Sequence, residues 1–375
     1  MILHKYIILA LSSALFLLSA VACSDNDDPV DVTPSRRALL VYMVADNSLG
    51  KKDFDSLDLA EMSAAAANGD LGSSRLLVYH SSARQAPQLK EITPSGIKLI
   101  KSYPYSPSSV SVERMKEVIS DFDKAAPAID RGLILWSHAS AWIQNGISNP
   151  SASVKSWGDE RGRYMNIPDL ADAVADASFV FIYFDCCYMA NIESLYELRD
   201  ATPRVVASTT EIPAGGMPYD RTLRFLAADS PDLRAAALAT FRHYDSLSGS
   251  DRTCTISVID MTSLPRLADA TARIYQAADS PQNYSPQPFM TSGCYLFDMS
   301  DYINSFDAPQ ELLLQWNEAF HNTVIFSAAT PMIWNRVPLD RANGLSTYII
   351  GPTRPSSFRG YDSLDWWRDV ASFIH

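Results

Sequence analysis

Residues 179–187 read Phe-Val-Phe-Ile-Tyr-Phe-Asp-Cys-Cys: six apolar residues, then a carboxylate and two thiols. An apolar run of that length with no polar alternation reads as a strand buried on both faces. Comparable runs stand at Ala38–Val44, Arg75–Tyr79, Gly132–Trp136 and Arg204–Ala207. Between them lie stretches with helical spacing, at Asp53–Asn68, Val112–Ala125, Ile167–Ala177 and Ile192–Arg199, and the segments 89–92 and 97–101 read as a hairpin. Doubly apolar strands alternating with helices predict an α/β fold, a mostly parallel sheet with helices on both faces. Beyond Tyr219 helical patterns dominate, at Leu223–Ala228, Leu233–Ser246, Leu264–Ala278 and Leu312–Val324, with strands at Thr253–Ile259 and Ser346–Ile350. These predict a C-terminal helical and strand extension, a subdomain over about residues 220–375.

The ends of parallel strands are where ligands of such sheets bind, in the crevice at the carboxyl edge. The first run is followed by Ala45-Asp46-Asn47, the third by Ser137-His138, and the fourth by Asp185-Cys186-Cys187. A thiol and an imidazole on one sheet edge are the parts needed for acyl transfer: the sulfur attacks a carbonyl and the ring moves the proton. Backbone N–H groups beside them can hold the oxyanion. The pattern by itself leaves open which cysteine reacts, and a buried cysteine is ordinarily an inert small hydrophobe.

Composition narrows the class. The chain has 375 residues and a net charge of -12, and no basic patch suggests a nucleic-acid partner. Lys5 followed by the apolar stretch Ile7–Leu18 has the form of an export signal, too short to span a membrane. Residues 20–23, Ala-Val-Ala-Cys, resemble a bacterial lipobox, which would remove residues 1–22 and acylate Cys23 as a membrane anchor. Plain secretion with cleavage near Ala22 is the alternative. Residues 23–35, opening Cys-Ser-Asp-Asn-Asp-Asp, read as an acidic tether, and residues 36–375 as the folded domain. The tether also resembles the acidic export signal of surface lipoproteins in Gram-negative bacteria. A Cys254–Cys294 disulfide is compatible with an oxidising compartment.

The words around the strand ends carry a resemblance. Leu133-Ile-Leu-Trp-Ser-His138-Ala-Ser-Ala-Trp142, Phe184-Asp-Cys-Cys187-Tyr-Met-Ala190 and Tyr42-Met-Val-Ala-Asp46-Asn47-Ser-Leu49 resemble, in order, three motifs of the clostripain family. Trp157-Gly-Asp-Glu160 with Ile167-Pro-Asp-Leu170, and Gly344-Leu-Ser-Thr-Tyr348 near the end, resemble further segments of it, so the likeness covers residues 36 to 375. It implies a caspase-like fold and a cysteine endopeptidase with a Cys–His dyad acting on peptides or proteins. Its Asp-Ala-Cys register puts the nucleophile at Cys187, with Cys186 in the alanine position. The family's preference for arginine or lysine before the cleaved bond implies an acidic pocket, with Asp185 matching one of its carboxylates.

Two departures from the pattern stand out. Ala139 replaces a glycine whose N–H, with that of Cys187, would form the oxyanion hole; a left-handed backbone there would cost alanine about 1 kcal/mol or more. Pro218 stands where a second pocket acid is usual, with Glu211 or Asp220 as substitutes. The alternatives are a catalytically impaired peptide-binding lipoprotein of the same fold, or a non-proteolytic cysteine hydrolase or transpeptidase. The chemistry needs no cofactor, and calcium binding is left open. Between His138 and Cys187 the stretch 144–155 is rich in Ser, Asn, Gly and Pro, an exposed loop open to nicking. Family members are often processed in this region at basic residues, and Lys155 is the first one after His138.

Overall fold

The computed structural model describes residues 35–143, 156–281, 284–291, 293, 295–351 and 354–374. The export signal with Cys23, the tether up to residue 34, the 144–155 stretch with Lys155, and Cys294 all lie outside the described residues. In chain order the first elements are β1 (Ser35–Val44), α1 (Phe54–Ala67), β2 (Arg75–Ser82), β3 (Gln85–Thr93), β4 (Gly96–Ser102), α2 (Val112–Ala125), β5 (Ala128–Trp136), β6 (Trp157–Glu160), β7 (Arg163–Met165), α3 (Ile167–Val174) and β8 (Phe181–Asp185). Then follow α4 (Ile192–Glu197), β9 (Arg204–Ala207), α5 (Tyr219–Leu226), α6 (Leu233–Asp245), β10 (Thr255–Asp260), α7 (Leu264–Ala277), β11 (Leu296–Asp298), α8 (Met299–Ile303), α9 (Gln310–Thr323) and β12 (Val324–Ala329).

Nine strands form one sheet in the order β12-β10-β9-β8-β5-β1-β2-β3-β4. The five central strands, β9, β8, β5, β1 and β2, are parallel. The pairs β2–β3, β3–β4, β9–β10 and β10–β12 are antiparallel. The sheet is therefore mostly parallel at its centre, as the doubly apolar runs predict. β10 and β12, from the C-terminal part of the chain, extend this same sheet.

β1 shows why both faces must be apolar. Leu39, Val41 and Met43 point into one core with Met62 of α1, Leu223 of α5 and Ala236 of α6. Ala38, Leu40, Tyr42 and Val44 point into the other, with Met115 of α2, Leu170 of α3 and Leu267 of α7. Successive side chains of a strand take opposite faces, so a strand covered by helices on both sides must be apolar throughout. Burying one such aliphatic side chain contributes about 1.5–3 kcal/mol. Gly132, in β5, sits at a tight point of this packing: a Cβ there would lie 2.3 Å from the Phe181 ring of β8.

Candidate active site

The carboxyl ends of β1, β5 and β8 converge, as their parallel pairing requires. Two bonds tie the segments after β1 and β5 together, and a third folds the loop after β1 back onto its strand. The Ser137 hydroxyl donates to the Val44 carbonyl at 2.8 Å, and the Asn47 amide donates to the carbonyls of Val44 (2.8 Å) and Asp159 (2.9 Å). A bridge between Ala139 and Trp157 closes through Ser140 N–H to the Ser156 carbonyl and Gly158 N–H to the His138 carbonyl. Those two bonds flank Ala139 and leave its own N–H outside the ladder. His138 emerges from this framework half-buried, and its Nε2 lies 2.8 Å from the Ser48 hydroxyl.

On the neighbouring strand, the loop after β8 is tied to the loop after β9 by Tyr188 N–H to the Thr210 carbonyl and Ala190 N–H to the Ser208 carbonyl. Cys187 is half-buried, and its Sγ accepts from the Ile212 N–H at 3.4 Å. Cys186 is buried in the core beneath the sheet, where desolvation raises its thiol well above the ordinary range. A thiol held protonated is a poor nucleophile.

A cleft of about 350 Å³ joins these pieces; its wall includes His138, Ala139, Asp185, Cys187, Glu211 and Trp136. Asp185 is only 4% exposed and accepts from Met217 N–H at 2.8 Å and from the Tyr219 hydroxyl at 3.0 Å. Burial pushes its carboxyl up to about 7, against those two hydrogen bonds, which lower it. Gly216, also on the wall, has a left-handed φ of +57°, and a Cβ there would come within 2.7 Å of the Asp185 carboxylate. Glycine is what lets the backbone pass so close.

Of the sequence-predicted residues that are described, Asp220 stands apart: it is exposed in the first turn of α5, 3.8 Å from Arg221, and does not line the cleft. Glu211 lines it but accepts from the Trp334 indole N–H at 2.6 Å. The backbone strain anticipated at Ala139 is absent there. Left-handed non-glycine positions near the cleft include Ala141 (φ 60°), Trp334 (φ 49°) on its wall, and Tyr188 (φ 64°), the last immediately after Cys187. Such strain in a non-glycine residue persists where surrounding contacts over-determine the backbone, often beside a functional group. Among the described residues no cluster of His, Cys, Asp and Glu could hold a metal ion, and no helix is long and apolar enough to cross a membrane.

Sequence reasoning missed Ser48 and Ile212. Ser48 directly follows the flagged Asp46-Asn47 turn, so its place after an apolar run was a usable signal. Ile212 acts through its backbone N–H, which residue identity does not reveal.

Comparison with known proteins agrees with this geometry. The model of the clostripain family, a peptidase family, matches residues 41–338. A structure of an inactive zymogen C11 protease from Parabacteroides distasonis is 26% identical, with a TM-score of 0.76, over 90% of this chain and 99% of that one. A secreted C11 cysteine protease from Bacteroides thetaiotaomicron, solved with an irreversible peptide inhibitor, is 28% identical, with a TM-score of 0.77, over 88% of this chain and 97% of that one. The comparison with curated proteins gives no match.

Proposed function

The chain belongs to the clostripain family of peptidases, and from that premise we propose that it is an endopeptidase with Cys187 as nucleophile and His138 as acid–base, cleaving after arginine or lysine. The observation that carries this reading is a single cleft walled by a half-buried thiol, an imidazole and a buried carboxylate. The Cys187 sulfur attacks the scissile carbonyl, and His138 delivers a proton to the leaving amine. Water then hydrolyses the thioester. The N–H groups of Ala139 and Cys187 receive the oxyanion. The Ile212 N–H aimed at Sγ favours the thiolate, because a hydrogen bond to the charged form stabilises that form. Ala139 does not adopt the left-handed backbone that would call for glycine, which removes one motive for reading the chain as an impaired relative. Turnover of fluorogenic peptides with Arg, Lys or a neutral residue before the cleaved bond, with a Cys187→Ala control, tests the proposal. No turnover of any of them sinks it.

Ser48 orients the imidazole in this scheme. Ser48→Ala is expected to lower kcat about tenfold, less than the roughly 10²- to 10⁴-fold worth of the acid–base group because the imidazole itself stays, with little change in KM. It should also shift the pH–rate profile, and Ser48→Thr should restore most of the rate. A variant with unchanged kcat and profile would make the contact incidental.

The exported, lipid-anchored location stays part of the proposal, supported by the N-terminal residues and by the secreted relative. Cys23→Ser should move the protein from the outer-membrane fraction to the soluble one, since stable anchoring needs the acyl chains. Continued membrane fractionation would require another contact. Self-processing after Lys155 is proposed on the composition of the 144–155 stretch. Mass spectrometry should find that cut in wild type and not in Cys187→Ala; intact, fully active wild type would overturn it.

A further inference from the structure

Two of the cleft's wall residues hold a left-handed backbone, and one side chain is bonded to both. Tyr188 (φ 64°) directly follows Cys187. Trp334 (φ 49°) stands at the tip of a hairpin, β13 (Met332–Ile333) paired with β14 (Val337–Pro338). The Glu211 carboxyl accepts the Trp334 indole N–H at 2.6 Å and is hydrogen-bonded to the Tyr188 hydroxyl, which burial holds neutral. The next residue, Ile212, brings its N–H to the Cys187 Sγ at 3.4 Å. We propose that Glu211 is a positioning residue for the nucleophile and not a substrate-binding acid: clamped by Trp334 and Tyr188, it fixes the backbone of residues 210–212 so that the Ile212 N–H stays on the sulfur. The inference rests on the reading of Cys187 as the nucleophile.

The clamp is anchored at both ends. On the hairpin side, the Trp334 backbone N–H donates to the Thr253 hydroxyl at 2.8 Å, and that hydroxyl donates to the Ser250 carbonyl at 2.8 Å. The indole is thereby tied to the segment that enters β10. On the nucleophile side, Tyr188 N–H donates to the Thr210 carbonyl at 2.9 Å, and the Thr210 hydroxyl donates to the Glu211 carbonyl at 2.9 Å. The Glu211 carbonyl and the Ile212 N–H belong to one planar peptide, so what tilts one tilts the other. The Thr210 bond and the side-chain clamp together set that tilt. A hydrogen bond weakens steeply once its donor turns well off line, so losing the clamp would cost the sulfur its N–H. A left-handed backbone at a tyrosine or tryptophan persists only where surrounding contacts over-determine it, and the shared carboxyl is one such contact for both.

The test is alkylation of the folded protein by iodoacetamide, a small neutral probe, from about pH 5 to pH 10, a range that spans the ordinary thiol value. Mass spectrometry assigns the label to Cys187. Trp334→Phe keeps an aromatic ring and loses the N–H; Glu211→Ala removes the carboxyl. Each should raise the pH midpoint of Cys187 alkylation by about half a unit to one unit and lower kcat more than it raises KM. The direction is diagnostic: deleting an acid near a thiol lowers the midpoint by charge alone, whereas losing the N–H raises it. Glu211→Gln keeps both bonds, its oxygen accepting from the indole and its amide donating to the phenol, so it should restore the midpoint and most of the rate that Glu211→Ala loses. The other titratable groups of the wall, His138, Asp185 and Tyr188, stay the same throughout. An unchanged or lowered midpoint in Trp334→Phe overturns the clamp. So does a Glu211→Gln variant that behaves like Glu211→Ala, or one that loses its preference for Arg over Leu substrates, which would return Glu211 to the pocket. Should Glu211→Ala fail to fold, Trp334→Phe decides alone. Turnover that survives Cys187→Ala sinks the nucleophile reading itself, and this inference with it.

Discussion

Cys187→Ala is expected to leave no measurable peptide turnover and no labelling by a thiol-directed peptide probe, while Cys186→Ala keeps most of both. The two sulfurs are neighbours in sequence and opposites in environment. Cys187 lines the cleft with a backbone N–H on its Sγ. Cys186 points into the core, and burial raises its thiol far from reactivity. Losing a nucleophile costs on the order of 10⁴- to 10⁶-fold in kcat, with the remainder supplied by oxyanion stabilisation and binding. Removing one buried sulfur atom costs about 1 kcal/mol of stability and leaves the reacting groups in place. The opposite pattern, an active Cys187→Ala and a dead Cys186→Ala, would reverse the register.

The same contrast explains what could be seen in the sequence. The central strands were legible because a strand buried on both faces has no polar alternation to confuse it. His138, Asp185 and Cys187 were legible because each follows such a strand directly. β12 was not: Val324, where it begins, reads as the last turn of the preceding helix, and its burial alternates between half-buried and exposed as befits a sheet edge. The short β6 and β7 are polar and carry little apolar signal. The buried acids of α1 escaped for a different reason. A helix whose carboxylates, Asp55 and Asp58, face inward shows a hydrophobic pattern that points to the wrong face. The indole N–H of Trp136, from a distant strand, partners Asp58, and His80 partners Asp55, since a buried carboxyl without partners costs several kcal/mol.

Asp185→Asn should separate selectivity from stability, moving them in opposite directions. Truncating one partner of a desolvated charge pair costs about 2–5 kcal/mol, so kcat/KM on Arg substrates should fall roughly thirtyfold to several thousandfold. Neutral substrates should be spared most of that loss. An equal fall on every substrate would make the residue structural. Stability should respond the other way. The folded Asp185 carboxyl titrates at about 7, above its ordinary value of 3.8, because burial disfavours the charge. A raised pKa means that its contribution to stability is fully present below the unfolded value and is lost as pH climbs through about 7. Asparagine carries no charge to bury, and its side-chain oxygen can still accept from Met217 N–H. Its Tm should therefore exceed that of wild type at pH 8 and lose that advantage near pH 4. Thermal unfolding of both proteins at the two pH values checks the sign. A variant less stable than wild type at pH 8 would mean that the bond from the Tyr219 hydroxyl outweighs the cost of the buried charge. A gain at pH 8 together with a selective loss on Arg substrates would mark Asp185 as a residue whose carboxylate costs the fold stability while it serves recognition of a cation.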